Sequence, residues 1–295
     1  MKKNMQIVKI LSGNITAFDG DSYYLCDLRG NLKKNNKICV GDFVEFEKNP
    51  GDKDRIVVTK ILERKNQLIR PTISNIDNLL ITITKKPSPD LNLVDALIIY
   101  CRQMEIEPII VISKMDLVDD AFVRDIKEQY GQVVDNIIPI CSLKNENLET
   151  LKKILVGRLS ALAGQSAVGK STLINALGGL SLEIGDLSAK LDRGKHTTRM
   201  SEIFILPDNI KIADTPGFSM LELRIEEPSE LKYWYDDFIQ LQEYCEFKDC
   251  DHINCKSSAC AVVKAVEEGK LSKERFERYT ARYSKLKEKW ERKYD

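Results

Sequence analysis

Gly164-Gln165-Ser166-Ala167-Val168-Gly169-Lys170-Ser171 lies between an apolar run, Leu159 to Ala163, and a helical pattern, Thr172 to Leu177. The spacing is that of a phosphate-binding loop, GxxxxGK[ST], in the strand-loop-helix setting that such a loop requires. Its glycines let backbone N–H groups wrap phosphate oxygens at a helix N-terminus, and Lys170 neutralises charge on the β and γ groups. Ser171, followed by Thr172, offers a hydroxyl to Mg²⁺.

Strand and helix alternate on both sides of this loop. Asn78–Thr84, Pro108–Ser113, Ile137–Ile140, Leu159–Ala163 and Ile210–Ala213 read as buried strands, and Leu91–Met104, Ala121–Tyr130 and Asn147–Leu155 as helices. That rhythm predicts a parallel sheet covered by helices on both faces. Upstream, short strand patterns at Tyr23–Leu28, Ile38–Val40, Phe43–Phe46 and Ile56–Val58, with a turn at Gly41-Asp42, fit a small β-barrel of the OB-fold type. After about residue 225 the strands stop, and the chain ends in a helix with Phe276, Tyr279, Tyr283, Leu286 and Trp290 on one stripe, expected to be core. The expected fold is therefore multidomain: a β-barrel over 1–66, an α/β P-loop domain over 67–225 and an α-helical domain over 226–295.

Composition bounds the rest. With 295 residues, 43% of them hydrophobic and only 15 glycines, a disordered or collagen-like chain is excluded. No apolar run approaches the roughly 18 residues of a membrane-spanning helix, and Lys9 interrupts the N-terminal stretch before a signal sequence could form, so a soluble, cytoplasmic protein with no membrane partner is expected. The 45 basic and 45 acidic residues cancel, but unevenly: residues 1–66 carry 13 basic and 9 acidic side chains, and 270–295 carry 10 and 5. Cationic ends would attract a polyanion, the plainer alternative being a solvated charged surface. Of eight cysteines, Cys245, Cys250, Cys255 and Cys260 fall within sixteen residues, which in a reducing compartment suggests a metal before a disulfide.

The phosphate loop does not choose a nucleotide; Ser113-Lys114-Met115-Asp116, at the end of a buried strand, does. An aspartate there accepts hydrogen bonds from the ring N–H and exocyclic amine of guanine, which adenine cannot supply. Lys114 would pack its stem over the base, and Cys141-Ser142, at the next strand end, would offer backbone N–H groups to the guanine oxygen. Asp214-Thr215-Pro216-Gly217, about 50 residues after the loop, follows another strand, so Asp214 can hold the Mg²⁺ shell and Gly217 can present its N–H to the γ-phosphate. In ordinary GTPases the phosphate loop precedes the guanine-reading motif, whereas here Asp116 lies 48 residues before Gly164. Permuting the chain order leaves such a site intact, because every motif stays at the carboxyl end of its strand.

With these motifs in hand, the chain resembles the RsgA (YjeQ) family of circularly permuted GTPases. The resemblance runs through the barrel, Gly41-Asp42, Arg70 to Asn78, SKMD, the phosphate loop, Gly194 to Thr198, DTPGF and the cysteine cluster. It implies an N-terminal OB-fold, a permuted GTPase domain and a C-terminal zinc domain, with GTP hydrolysis coupled to late small-subunit maturation and release. The partners it implies are the small ribosomal subunit and its rRNA together with GTP/GDP; a monomer is expected.

Ras-like proteins position water with a Gln just after the DxxG motif, but Phe218 stands at that place here. By resemblance, His196 is the candidate for water positioning, with Thr197 or Thr198 closing on Mg²⁺ and the γ-phosphate. Four departures from the family pattern stand out. Ala167 replaces a Gly, and if the backbone there needs φ > 0 the Cβ costs on the order of 1 kcal/mol. Ser113 replaces Asn, Cys141-Ser142 replaces Ser-Ala, and Asn145 and Asn147 stand for two glycines, Asn being the best non-Gly residue for a left-handed backbone. In the cysteine cluster Cys245, Cys250, His252 and Cys260 give three thiolates and an imidazole, a closed set suited to structural zinc. Cys255 is the alternative fourth ligand. Cys260 is preferred because Ala261-Val262 and a helix follow it as in the family, at the cost of two extra loop residues.

Three functions compete: a Mg²⁺-dependent GTP hydrolase acting on the small ribosomal subunit; an RNA-binding assembly scaffold whose weakened site only senses GTP/GDP; and a P-loop kinase or ATPase, disfavoured by Asp116.

Overall fold

The computed structural model describes residues 4–11, 13–30, 32, 38–49, 51–52, 54–68, 72–179, 202–214 and 223–294. Period-two alternation along the central strands divides their side chains between two apolar layers. In β8 (Asn78–Ile83) Leu79, Ile81 and Ile83 join one layer and Leu80 the other; in β9 (Glu107–Ile112) Ile110 and Ile112 oppose Ile109 and Val111. Helices α1 (Leu91–Gln103) and α2 (Asp120–Tyr130) cover the first layer through Val94, Leu97, Ile98, Ile126 and Tyr130. On the second, α3 (Leu148–Leu155) and α4 (Lys170–Gly178) bury Leu148, Leu151, Leu155, Leu173 and Leu177.

With β10 (Asn136–Pro139), β11 (Leu159–Ala163), β12 (Glu202–Leu206) and β13 (Ile210–Asp214), the strand order is β10-β9-β8-β11-β13-β12. The first five are parallel, while β12 runs antiparallel to β13. Successive strands step one way from β8 and the other way from β11, so the β8–β11 boundary is the switch point where an α/β sheet opens a crevice.

β12 is a strand that the alternation did not reveal. Its partner β13 follows a turn at Pro207–Asn209 in which Asp208 and Asn209 take φ of 59° and 56°. Its outer edge meets the barrel at a single registered pair, Lys9 with Glu202, whose side chains form an ion pair of 2.7 Å.

The N-terminal barrel contains β1 (Met5–Leu11) and β2 (Asn14–Phe18), which the sequence reading did not place, with β3 (Tyr23–Leu28), β4 (Phe43–Lys48) and β5 (Arg55–Ile61). The order β1-β2-β3-β5-β4 closes by a β1–β4 pairing around Ile7, Ala17, Val44, Ile56 and Val58. A two-stranded ribbon, β6 (Gln67–Leu68) and β7 (Ile73–Ser74), follows the barrel. Gly41 sits here at φ 94°, and a Cβ on it would lie 2.0 Å from the Ser74 carbonyl oxygen, so only glycine allows this approach. Next to it the buried Asp42 accepts from Arg64 Nε at 2.6 Å, from Ser74 Oγ at 2.7 Å and from the Cys39 N–H at 2.8 Å.

Beyond residue 225 the described chain is helical: α5 (Asp236–Gln242), α6 (Ala261–Glu267) and α7 (Lys273–Tyr294). Phe276, Tyr279, Tyr283 and Leu286 of the α7 stripe pack in the C-terminal core with Phe238, Val262 and, from α1, Ile99. Trp290 departs from the expected burial, being 37% exposed, because α7 runs on past the core it covers.

Candidate nucleotide site and metal centre

The phosphate loop leaves β11 through Gly164, whose φ of 134° is closed to ordinary side chains and whose absent Cβ would stand 2.3 Å from the Thr82 carbonyl oxygen of β8. Ala167 occupies φ 62°, the left-handed region that the family's Gly would adopt without strain. Gly169, at φ 96°, turns the chain into α4. Lys170 Nζ donates to the carbonyls of Gly164 at 2.8 Å and Gln165 at 2.6 Å, and burial lowers the ammonium's pKa from its ordinary value. An incompletely hydrated cation at the N-terminus of a helix suits phosphate. The Gln165 side chain points elsewhere: its Oε1 accepts from the N–H of Asp90, the N-cap of α1. Ser166 sits at the open side of the loop, Val168 is buried beneath it, and Ser171 and Thr172 begin α4.

The Ser113–Asp116 segment reaches the same place from β9. The Ser113 hydroxyl lies 2.5 Å from the Val168 carbonyl oxygen and 3.0 Å from that of Ile83, so the short side chain spans from the end of β8 to the phosphate loop. Lys114, at φ 56°, arches over the loop and donates to the Ala167 carbonyl at 2.7 Å. A 3-10 turn, Met115–Leu117, then exposes the Asp116 carboxylate. That turn hangs from the end of β10 through the Met115 N–H, which donates to the Ile140 carbonyl at 3.2 Å. Cys141 is buried and its thiol lies 3.4 Å from Asp116 Oδ1, a contact between residues 25 apart that no local pattern signals. Ser142 opens the following loop, in which Asn145 and Asn147 hold φ of 57° and 60° in the left-handed region. Asp214 closes β13, with its backbone opposite Glu202. His196, Thr197, Thr198 and Gly217 lie outside the described residues.

A second cluster forms in the helical region. One donor atom each from Cys245, Cys250, His252 and Cys260 lies within 4.8 Å of all the others. Tetrahedral zinc with Zn–S of about 2.3 Å requires S···S edges of about 3.8 Å and slightly shorter S···N edges. Here Cys245 and Cys260 Sγ are 3.9 Å apart, and His252 Nδ1 is 3.8 and 3.4 Å from them. Burial and the ammonium of Lys232 lower the His252 pKa to about 4, against a small opposing effect of Asp251, so the imidazole is neutral, as a ligand must be. Cys255 Sγ stands 3.6 Å from Cys250, but its thiol donates to the Ile253 carbonyl at 3.4 Å. The loop bearing His252 is tied to α7: Tyr279 donates to the Asp251 carbonyl at 2.8 Å and Tyr283 to the Asp251 carboxylate at 2.7 Å. The donor set and spacings fit a structural zinc ion.

The chain is similar to known proteins over most of its length. A family model described as RsgA GTPase matches residues 61–224. The "Small ribosomal subunit biogenesis GTPase RsgA" of Thermotoga neapolitana is 37% identical over 268 residues, covering 89% of this chain and 88% of that protein. Its namesake from a Geobacillus species is 38% identical over 295 residues, covering 96% and 97%. Among solved structures, YjeQ from Thermotoga maritima superposes with a TM-score of 0.82 at 31% identity, covering 97% of this chain and 99% of that one. YloQ, described as a circularly permuted GTPase, gives 0.77 at 28% identity, covering 97% and 95%. By its fold, by the chain order of its nucleotide motifs and by these likenesses, this chain belongs to the RsgA GTPase family.

Proposed function

We propose that this chain hydrolyses GTP on the small ribosomal subunit and couples hydrolysis to late maturation of the subunit and to its own release. The observation that carries the reading is the junction at the β8–β11 crevice, where Ser113 and Lys114 bond the base-reading turn to the carbonyls of Val168 and Ala167. A nucleotide seated on the loop would thereby place its base against Asp116. The subunit enters from the names of the relatives and from the excess of basic residues at both ends of the chain, which suits rRNA phosphates. We assign the barrel to 1–66, the GTPase domain to 67–225 and the zinc domain to 226–295, and read the protein as a cytoplasmic monomer.

The family's chemistry calls for Mg²⁺, which when bound would neutralise charge on the β and γ oxygens; Ser171, Asp214 and Thr198 are the residues assigned to hold it. Lys170 would exchange its two loop carbonyls for phosphate oxygens. Gly217 would bind the γ-phosphate through its N–H, His196 would orient water, and Thr197 or Thr198 would close on Mg²⁺ and the γ-phosphate. Zinc is assigned to Cys245, Cys250, His252 and Cys260.

The test is GTP turnover by purified protein with and without small subunits, comparing wild type with His196→Ala. Strong stimulation that the variant loses supports both the reading and the assignment of His196. Stimulation that survives removes His196 alone, and tight subunit binding without stimulation favours the scaffold function.

A further inference from the structure

We infer that Cys255 is the resolving thiol of the metal centre: when peroxide oxidises the cluster, Cys250 and Cys255 join as a disulfide, the ligand set opens, and a reductant restores it. The inference rests on the assignment of zinc to Cys245, Cys250, His252 and Cys260, and it gives a role to the cysteine that this assignment leaves over.

The chain folds back between the two sulfurs. His252 and Asn254 take φ of 62° and 53°, so the span from Cys250 to Cys255 closes into a tight loop. Their Sγ atoms stand 3.6 Å apart, nearer than the 3.9 Å between the ligands Cys245 and Cys260. The His252 N–H donates to Cys250 Sγ at 3.4 Å and anchors that sulfur. Cys250 is buried and Cys255 half-buried. An S–S bond is about 2.05 Å long, so the pair has about 1.5 Å to close, and both sulfurs sit on one short loop.

Coordination holds Cys250 as a thiolate, the form of the thiol that attacks peroxide. Its sulfur takes one oxygen of hydrogen peroxide while the O–O bond breaks and the other oxygen leaves as hydroxide, giving a sulfenic acid. The Cys255 sulfur then attacks that sulfur: the S–S bond forms, the S–O bond breaks, and the leaving oxygen departs as water with the Cys255 proton. Across both steps peroxide gains two electrons and the two sulfurs lose two. Without a thiol at this distance the sulfenic acid meets more peroxide and passes to sulfinic acid, which thiol reductants do not reverse. Taking Cys250 out of the ligand set also frees the loop whose Asp251 is held by Tyr279 and Tyr283 of α7, so the oxidation state of this pair reaches the basic C-terminal helix.

The experiment exposes zinc-loaded, full-length wild type and Cys255→Ser to hydrogen peroxide and follows zinc release with a chromogenic chelator. Dithiothreitol and zinc are then added back, zinc per chain is measured after desalting, and the oxidised samples are peptide-mapped by mass spectrometry. Both proteins are expected to release zinc. Wild type should show a Cys250–Cys255 disulfide and regain its metal, whereas Cys255→Ser should carry sulfinic or sulfonic acid at Cys250 and regain at least about threefold less. Equal recovery in the two proteins, a wild-type map without the Cys250–Cys255 link, or zinc that peroxide fails to release overturns the inference and leaves the zinc assignment standing. A Cys255→Ser protein that lacks zinc as purified overturns both.

Discussion

The hydroxyl of Ser113 lies 2.5 Å from the carbonyl oxygen of Val168, 55 residues further along the chain. It has one proton and two carbonyls in reach, and the shorter contact, to the phosphate loop, is the one that takes it. In the proposed site, a bond between the Ser113–Asp116 segment and the Gly164–Ser171 loop contributes to affinity by fixing their separation before ligand arrives. Ser113→Ala removes that bond and leaves the Val168 carbonyl buried without it. A GDP titration is expected to show affinity falling about fivefold, corresponding to about 1 kcal/mol. Equal affinity in the variant would mean that the backbone alone sets the separation.

Ala167 pays for its left-handed backbone, φ 62°, with Cβ crowding that glycine lacks. Relief in Ala167→Gly is worth about 1 kcal/mol, but glycine gives back a similar amount in chain entropy on folding. Thermal unfolding of Ala167→Gly should therefore stay within about 1 kcal/mol of wild type. Ala167→Val carries a branched Cβ into the same region, where such residues are genuine outliers, and should cost about 2 kcal/mol or more. A valine variant as stable as wild type would show that the loop relaxes to φ < 0 freely.

Which parts of this molecule could be read in advance follows from the range of the forces involved. Leu79, Leu80 and Ile81 declare β8 because alternation is local and both faces are buried. Asn145 and Asn147 announce a left-handed loop by residue type alone. β12 stayed hidden because Glu202–Leu206 is five residues long and its hairpin turn uses Asp208 and Asn209 in place of glycine. Lys9 argued against an apolar N-terminal segment, yet its charge is answered by Glu202, 193 residues away. The Ser113–Val168 and Cys141–Asp116 contacts are of the same kind, set by strands that meet only in the folded sheet.

A buried charge network joins α7 to α1 and α5. Arg275 donates to Asp95 at 2.9 Å and to Asp237 at 3.0 Å, while Arg278 donates to the other Asp95 oxygen at 2.5 Å. Burial alone would lower the Arg275 pKa, but Asp237 and Asp95 outweigh it and the guanidinium is held above its ordinary value. Asp95→Asn keeps the shape and strands one buried positive charge, so the urea midpoint should fall by the equivalent of about 3 kcal/mol. Glu149→Ala, which breaks an exposed ion pair with Lys152, should move it by no more than about 0.5 kcal/mol. Equal effects of the two would show that the network is solvated in solution.

The fourth ligand of the metal cluster can be settled by removing each candidate sulfur in turn. Cys260 and Cys255 are five residues apart, and both approach the cluster, Cys260 within 3.4 Å of His252 Nδ1 and Cys255 within 3.6 Å of Cys250 Sγ. Their surroundings differ: Cys260 is buried at the start of α6 and accepts from the Val263 N–H at 3.5 Å, a bond that suits a thiolate. Cys255 instead donates its proton to a backbone carbonyl, which a thiolate could not do. Burial pushes the Cys260 thiol up to about 12, so without a metal it stays protonated, and coordination is what stabilises the anion there. Cys255→Ser should retain one zinc per chain by elemental analysis, whereas Cys260→Ser should lose it. The same loss should follow from a strong chelator, and in both cases the contacts from Tyr279 and Tyr283 to Asp251 would lose their support, loosening α7 and raising amide exchange along it. A Cys255→Ser variant that gives up its zinc while Cys260→Ser keeps it would reverse the assignment.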